Sequence, residues 1–168
     1  MNIPKWIILH HTAGTESDPL ADTSHHTFAI VNEYHRKKFN FKSSLGTYIG
    51  YHYFIDKQGV ITQGRADTDE GAHTIGKNKE SLGICLAGNF DLTYPTDIQL
   101  QVLKKLLREK SAQYKIPLIN IVPHRRFSEK TCYGTKLYDN FASDICRISI
   151  LEQIVESLLK VVKLLKNK

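Results

Sequence analysis

Cysteine, methionine and tryptophan are scarce in this chain: three, one and one among 168 residues. Three cysteines cannot all pair within one chain, and no Cys-x-x-Cys pair occurs. That excludes a disulfide-dense scaffold, a zinc ribbon and a thioredoxin-type redox centre; a Cys85–Cys146 bridge stays open. Long apolar runs are also missing. The run near the N-terminus, Trp6 to Leu9, is four residues long, too short for a membrane span or the apolar core of a signal peptide. The segment EGAHTIGKNKESLGI has glycines but no phosphate-loop spacing, which removes a nucleotide site. The basic residues do not interleave with aromatics in a nucleic-acid module, so no nucleic acid is expected as a partner.

What is present describes a folded domain. Hydrophobic residues make up 41% and charged residues 24%, enough for a core and a solvated surface. The length fits one domain, or one domain with a short appendage. The formal net charge is +6, which favours polyanionic partners or simply solubility.

Trp6 to Leu9 has strand character and ends at His10. Residues 23 to 39 read as a helix capped by Thr23 or Ser24, with Phe28, Val31 and Tyr34 or His35 on one face. Tyr51–Ile55 and Val60–Gln63 form a predicted hairpin around an Asp-Lys-Gln-Gly turn. Ser81–Ala87 is apolar enough to be a central strand. Thr96 caps a helix whose inner side carries Leu100, Leu103, Leu106, Leu107 and Tyr114, and which Pro117 ends. Ile119–Val122 is another short strand. In the tail, Ile148, Leu151, Val155, Leu158, Val162 and Leu165 recur at spacings of three and four, a heptad stripe. Residues 147–168 also carry five basic and two acidic side chains.

Chemistry concentrates at strand ends. Of the adjacent pair His10 and His11, only one can point to a given face of a strand. The pair therefore offers one metal ligand and one neighbour. His124 follows a strand and a proline, and Cys132 lies eight residues later in the loop RRFSEKTC. An imidazole and a thiolate from one loop, joined by a histidine from a remote strand, make three protein ligands. That count suits a catalytic zinc with an open fourth position. Tyr51 could orient an attacking water, and Lys130 could stabilise an oxyanion. Taken singly, each of these residues has an ordinary packing or surface role as its alternative.

The ordered motifs IILHHTAG, IGYHYFID, EGAHTIGKNKESLGICLAG and VPHRRFSEKTC resemble the zinc-dependent N-acetylmuramoyl-L-alanine amidases, a group including amidase-type phage lysozymes and peptidoglycan recognition proteins. The resemblance runs from about Ile3 to about Leu137. It implies an α/β fold, a central mixed β-sheet flanked by helices, with the C-terminal amphipathic helix in addition. It implies one zinc ion on His10, His124 and Cys132, catalytic roles for Tyr51 and Lys130, and substrate contacts from His73 and Asn78. Peptidoglycan is the implied partner, and cleavage between N-acetylmuramic acid and L-alanine the implied reaction. One departure is plain: the family often has Pro-Gly after the metal cysteine, where this chain has Tyr133-Gly134.

The sequence divides into a catalytic domain, 1–140, and a basic amphipathic helix, 141–168. Three roles are open to that helix: docking on its own domain, self-association through residues 148–165, or contact with anionic wall or membrane. The missing signal peptide leads to an expectation of synthesis in the cytoplasm and action on the wall after release by another factor, as a phage or prophage endolysin would. A cytoplasmic muropeptide-recycling amidase and a non-catalytic peptidoglycan-binding module are the competing expectations.

Overall fold

The computed structural model describes residues 1–166. Five strands form one sheet: β1 (Trp6–His11), β2 (Tyr53–Ile55), β3 (Ile61–Gln63), β4 (Ser81–Leu86) and β5 (Ile121–Pro123). Their spatial order is β3-β2-β4-β1-β5. β4 is the middle strand, parallel to β1 and β2, while β5 runs parallel to β1 and β3 closes antiparallel to β2. The sheet is therefore mixed. Three helices accompany it: α1 (Phe28–Lys38), α2 (Asp97–Tyr114) and α3 (Phe141–Lys166).

Alternation along the strands gives the sheet two different faces. Ile7, Leu9, Leu82, Ile84 and Leu86 join Leu103, Leu106 and Leu107 of α2 and Ala142, Ile145 and Cys146 of α3 in the larger apolar cluster. Each leucine or isoleucine among them, fully buried, stabilises the fold by roughly 1.5–3 kcal/mol. On the opposite face Phe54 and Cys85 pack with Ile49 and with Val31 of α1. Cys85 and Cys146 thus lie in separate clusters, and both are free thiols. The bridge left open by the sequence does not form.

Local signals explain the helices and two shifts from expectation. α1 begins at Phe28, not near Thr23: Thr27 is the cap, accepting from the Ile30 amide. Thr23 is instead buried and donates its hydroxyl to the Ala13 carbonyl. α2 carries a full capping box between Thr96 and Gln99. Ile119, expected in a strand, belongs to a 3-10 turn, Leu118–Asn120, and β5 starts at Ile121.

One buried polar cluster closes the α2 side of the sheet. Tyr53, Tyr114 and Lys110 all donate to the Asp67 carboxylate, at 2.6, 2.8 and 3.0 Å. Burial alone would raise the Asp67 pKa; these three donors outweigh it and hold the carboxyl below its ordinary range.

α3 changes character along its length. Its first turns share the core, whereas the described side chains from Leu151 to Leu165 are exposed, including Leu158 (60%) and Leu165 (67%). Among the described residues no helix is long and apolar enough to cross a membrane.

Candidate metal centre

His10 and His11 separate as strand geometry requires. His10 shares a register position with Cys85 on the α1 side. The His11 ring lies near Phe90, whose amide donates to its Nδ1 at 3.0 Å. Burial depresses the His11 pKa to about 4, and its Nε2 has no hydrogen-bond partner among the described residues.

His10, His124 and Cys132 come together at the end of β1. One donor atom from each lies within 4.8 Å of the others. The His10 and His124 rings are 4.5 Å apart, and His10 Nδ1 is 3.6 Å from Cys132 Sγ. Zinc–nitrogen and zinc–sulfur bonds of about 2.0 and 2.3 Å at a tetrahedral angle place those two donors about 3.5 Å apart, close to the observed spacing. Two imidazoles and a thiol at this spacing fit a zinc ion.

The protonation states support the same fit. His10 is held well below the usual imidazole pKa, first by burial and then by the neighbouring His73 and His124. His124 is lowered to about 4 by burial, with Lys130 adding to it. Both rings are therefore neutral at pH 7 and offer lone pairs. Burial pushes the Cys132 thiol up to about 12. Only a bound cation would keep its sulfur as thiolate there.

The loop bearing Cys132 is tied down by residues that sequence patterns did not single out. Arg125 hydrogen-bonds the carbonyls of Gly134 and Leu137 and pairs with Asp139. Asp91 accepts from the Thr131 hydroxyl and the Thr135 amide. Their only sequence signal is proximity: Arg125 follows His124 directly. Tyr133, standing where the family often has proline, is buried and hydrogen-bonds the Tyr138 carbonyl. Gly134 follows with φ +102°, and a Cβ there would come within 2.4 Å of the Phe90 backbone. The departure from Pro-Gly thus anchors the loop in the core through an aromatic ring.

Tyr51 and Lys130 approach from different sides. The Tyr51 ring lies 4.9 Å from that of His10. Burial pushes its phenol well above the ordinary value, with the Cys85 and Cys132 sulfurs adding to that rise, so the hydroxyl stays protonated. Tyr51 also lines an open cleft of about 470 Å³ with Thr12, Glu16, Tyr34 and His35. Lys130 is exposed and lines a second depression of about 550 Å³ with Arg126, Glu129 and Thr131. None of the three donor residues lines either hollow; Tyr51 joins the first of them to the His10 ring. Asn78 turns inward: its Oδ1 accepts from the amides of His73 and Thr74 at 3.0 and 2.8 Å. His73 stands behind His10, with its Nδ1 3.0 Å from His10 Nε2.

The sequence model of the N-acetylmuramoyl-L-alanine amidase family matches residues 1–135. The chain belongs to this family. Peptidoglycan-recognition protein SD of Drosophila simulans is 31% identical over 138 residues, covering 81% of this chain and 70% of that one. Peptidoglycan-recognition protein 2 of Holotrichia diomphalia is 34% identical over 103 residues, covering 61% of this chain. That match spans only about half of the relative, 52%. Among solved structures, the endolysin N-acetylmuramoyl-L-alanine amidase LysCS from Clostridium intestinale superposes with a TM-score of 0.66 at 28% identity, covering 80% of this chain and 78% of that one. The mixed sheet flanked by helices is the fold of these amidases and recognition proteins.

Proposed function

We propose that this chain hydrolyses the amide bond between N-acetylmuramic acid and L-alanine in peptidoglycan, using one zinc ion held by His10, His124 and Cys132. The observation that carries this is the convergence of all three donors at the end of β1, with Tyr51 beside His10 and Lys130 near His124. A module that only binds peptidoglycan has no need of that complete set.

When bound, zinc supplies Lewis-acid polarisation and a hydroxide nucleophile at neutral pH. The chain's own groups do the rest. Tyr51, kept protonated by burial, would donate a hydrogen bond from Oη that orients the attacking water, and as the C–N bond breaks it would pass its proton to the departing amine and regain one originating from that water. The Lys130 ammonium shares the negative charge that develops on the carbonyl oxygen. In this reading the cleft that Tyr51 lines takes the substrate beside His10. His73 and Asn78 shape the wall behind His10.

The substrate in this reading is the wall polymer, as the endolysin relative's name suggests for that protein. The enzyme would act there after synthesis in the cytoplasm and release by a separate membrane-permeabilising factor. The test is product analysis on purified cell wall and on a soluble muramyl-peptide. Stem peptides with a free L-alanine amino group should appear, faster from wall, and disappear after chelation. Release that survives exhaustive chelation, or intact wall with bound protein, overturns the proposal.

A further inference from the structure

Metal binding by His10 depends on which ring nitrogen carries the proton. Its Nδ1 faces Cys132 Sγ at 3.6 Å, so Nδ1 must be bare and Nε2 must carry hydrogen. The partner of Nε2 is His73 Nδ1, 3.0 Å away, with the two rings nearly perpendicular at 84°. His73 Nδ1 must then accept. That in turn requires the proton of His73 on Nε2, which lies 3.4 Å from Ser81 Oγ. The Ser81 hydroxyl already donates to the Lys77 carbonyl at 2.7 Å, so its oxygen is left as an acceptor. Each donor and acceptor along Lys77–Ser81–His73–His10 is thereby fixed in one direction.

The His73 ring is also held in place. A Cβ on Gly71 or on Gly83 would come within 2.5 Å of His73 Cδ2, so the ring occupies a slot that only glycines on both walls leave open. The Thr74 hydroxyl sits beside this contact, 2.9 Å from His73 Nδ1 and 3.5 Å from His10 Nε2. Asn78 fixes the backbone beneath through the amides of residues 73 and 74.

From this chain we infer that His73 is a positioning residue of the metal centre: it holds His10 in the Nε2-protonated tautomer and aims His10 Nδ1 at the metal. The inference rests on the ligand set proposed above. It gives His73 a task apart from any contact with substrate. Removing such an outer partner typically lowers metal affinity by 10–100-fold.

The test compares the full chain with His73→Leu, which fills the slot without an acceptor, and His73→Asn, whose Oδ1 restores one near the Nδ1 position. Zinc affinity is measured by competition with a chromophoric chelator, and Co2+ is added as a spectroscopic probe. We expect His73→Leu to bind zinc 10–100-fold more weakly and to alter the thiolate–cobalt absorption. His73→Asn should recover most of both. Nitrogen NMR of the metal-free wild-type protein should show His10 protonated at Nε2, a readout that does not depend on either variant folding. Wild-type zinc affinity in His73→Leu overturns the inference, as does a His10 protonated at Nδ1. Equal losses in both variants reduce His73 to packing. Failure of the wild-type chain to bind zinc or Co2+ at all would instead refute the ligand set.

Discussion

The two faces of the sheet use the same strands for different ends. On the α2 and α3 side, Ile7, Leu9, Ile84 and Leu86 meet leucines and make a dense apolar layer. On the α1 side the apolar cluster is small, and the ends of the strands carry His10, Tyr51 and Cys85 in mutual contact. His10 and His11 mark the division, one residue apart and facing opposite ways. The lesson is that one face supplies the rigidity on which the other can hold polar groups in costly, desolvated positions.

That contrast can be broken at either face. The largest effect should come from His10→Ala, which removes a donor without touching the apolar layer. Zinc retention and stem-peptide release should both vanish while the unfolding midpoint of the metal-free protein moves little. A variant that still holds zinc stoichiometrically would place the metal elsewhere. Lys130→Ala and Tyr51→Phe should come next. Each should keep zinc but lose about 100–1,000-fold in rate, the usual cost of one oxyanion donor; a loss of zinc in either would mean the residue supports the site itself.

Leu107→Ala strikes the opposite face. It should destabilise the fold by about 2–5 kcal/mol in denaturant titrations, with zinc affinity at low denaturant unchanged. Coupled loss of affinity would show that the two faces are not separable. The smallest effect is expected from ending the chain after Gln153, because the described side chains from Ile154 to Leu165 are exposed. Zinc affinity and hydrolysis of soluble muramyl-peptide should stay within twofold of the full chain. A marked drop in either would tie the outer part of α3 to the site.

Much of this was legible in the chain itself. The hairpin around Asp56–Gly59, the middle position of Ser81–Leu86 and the Thr96 cap all follow from local pattern, because period, turn residues and caps act over a few neighbours. The ends were less legible. Thr23 looked like a helix cap, but the Ala13 carbonyl, ten residues earlier, takes its hydroxyl. The 3-10 turn at Leu118–Asn120, closed by the Asn120 amide on the Pro117 carbonyl and leaving Ile119 exposed, shortened a predicted strand. Asp67, Lys110, Tyr53 and Tyr114 gave no warning of their shared cluster, since nothing local couples positions that far apart.

The sequence by itself determined the donor types, their order, and the rule that His10 and His11 must face apart. It also carried the family motifs from Ile3 to Leu137. Only the tertiary structure shows how His10, the ligand that the family resemblance implies, meets His124 and Cys132: parallel pairing of β1 with β4 and β5 brings strand ends and the Cys132 loop to one edge. It also decided that His73 stands behind His10 in a slot between two glycines. The contacts of His10 with His73 and Cys132 join chain segments more than sixty residues apart, and a distance of that kind is set by the whole sheet, not by any local run of residues.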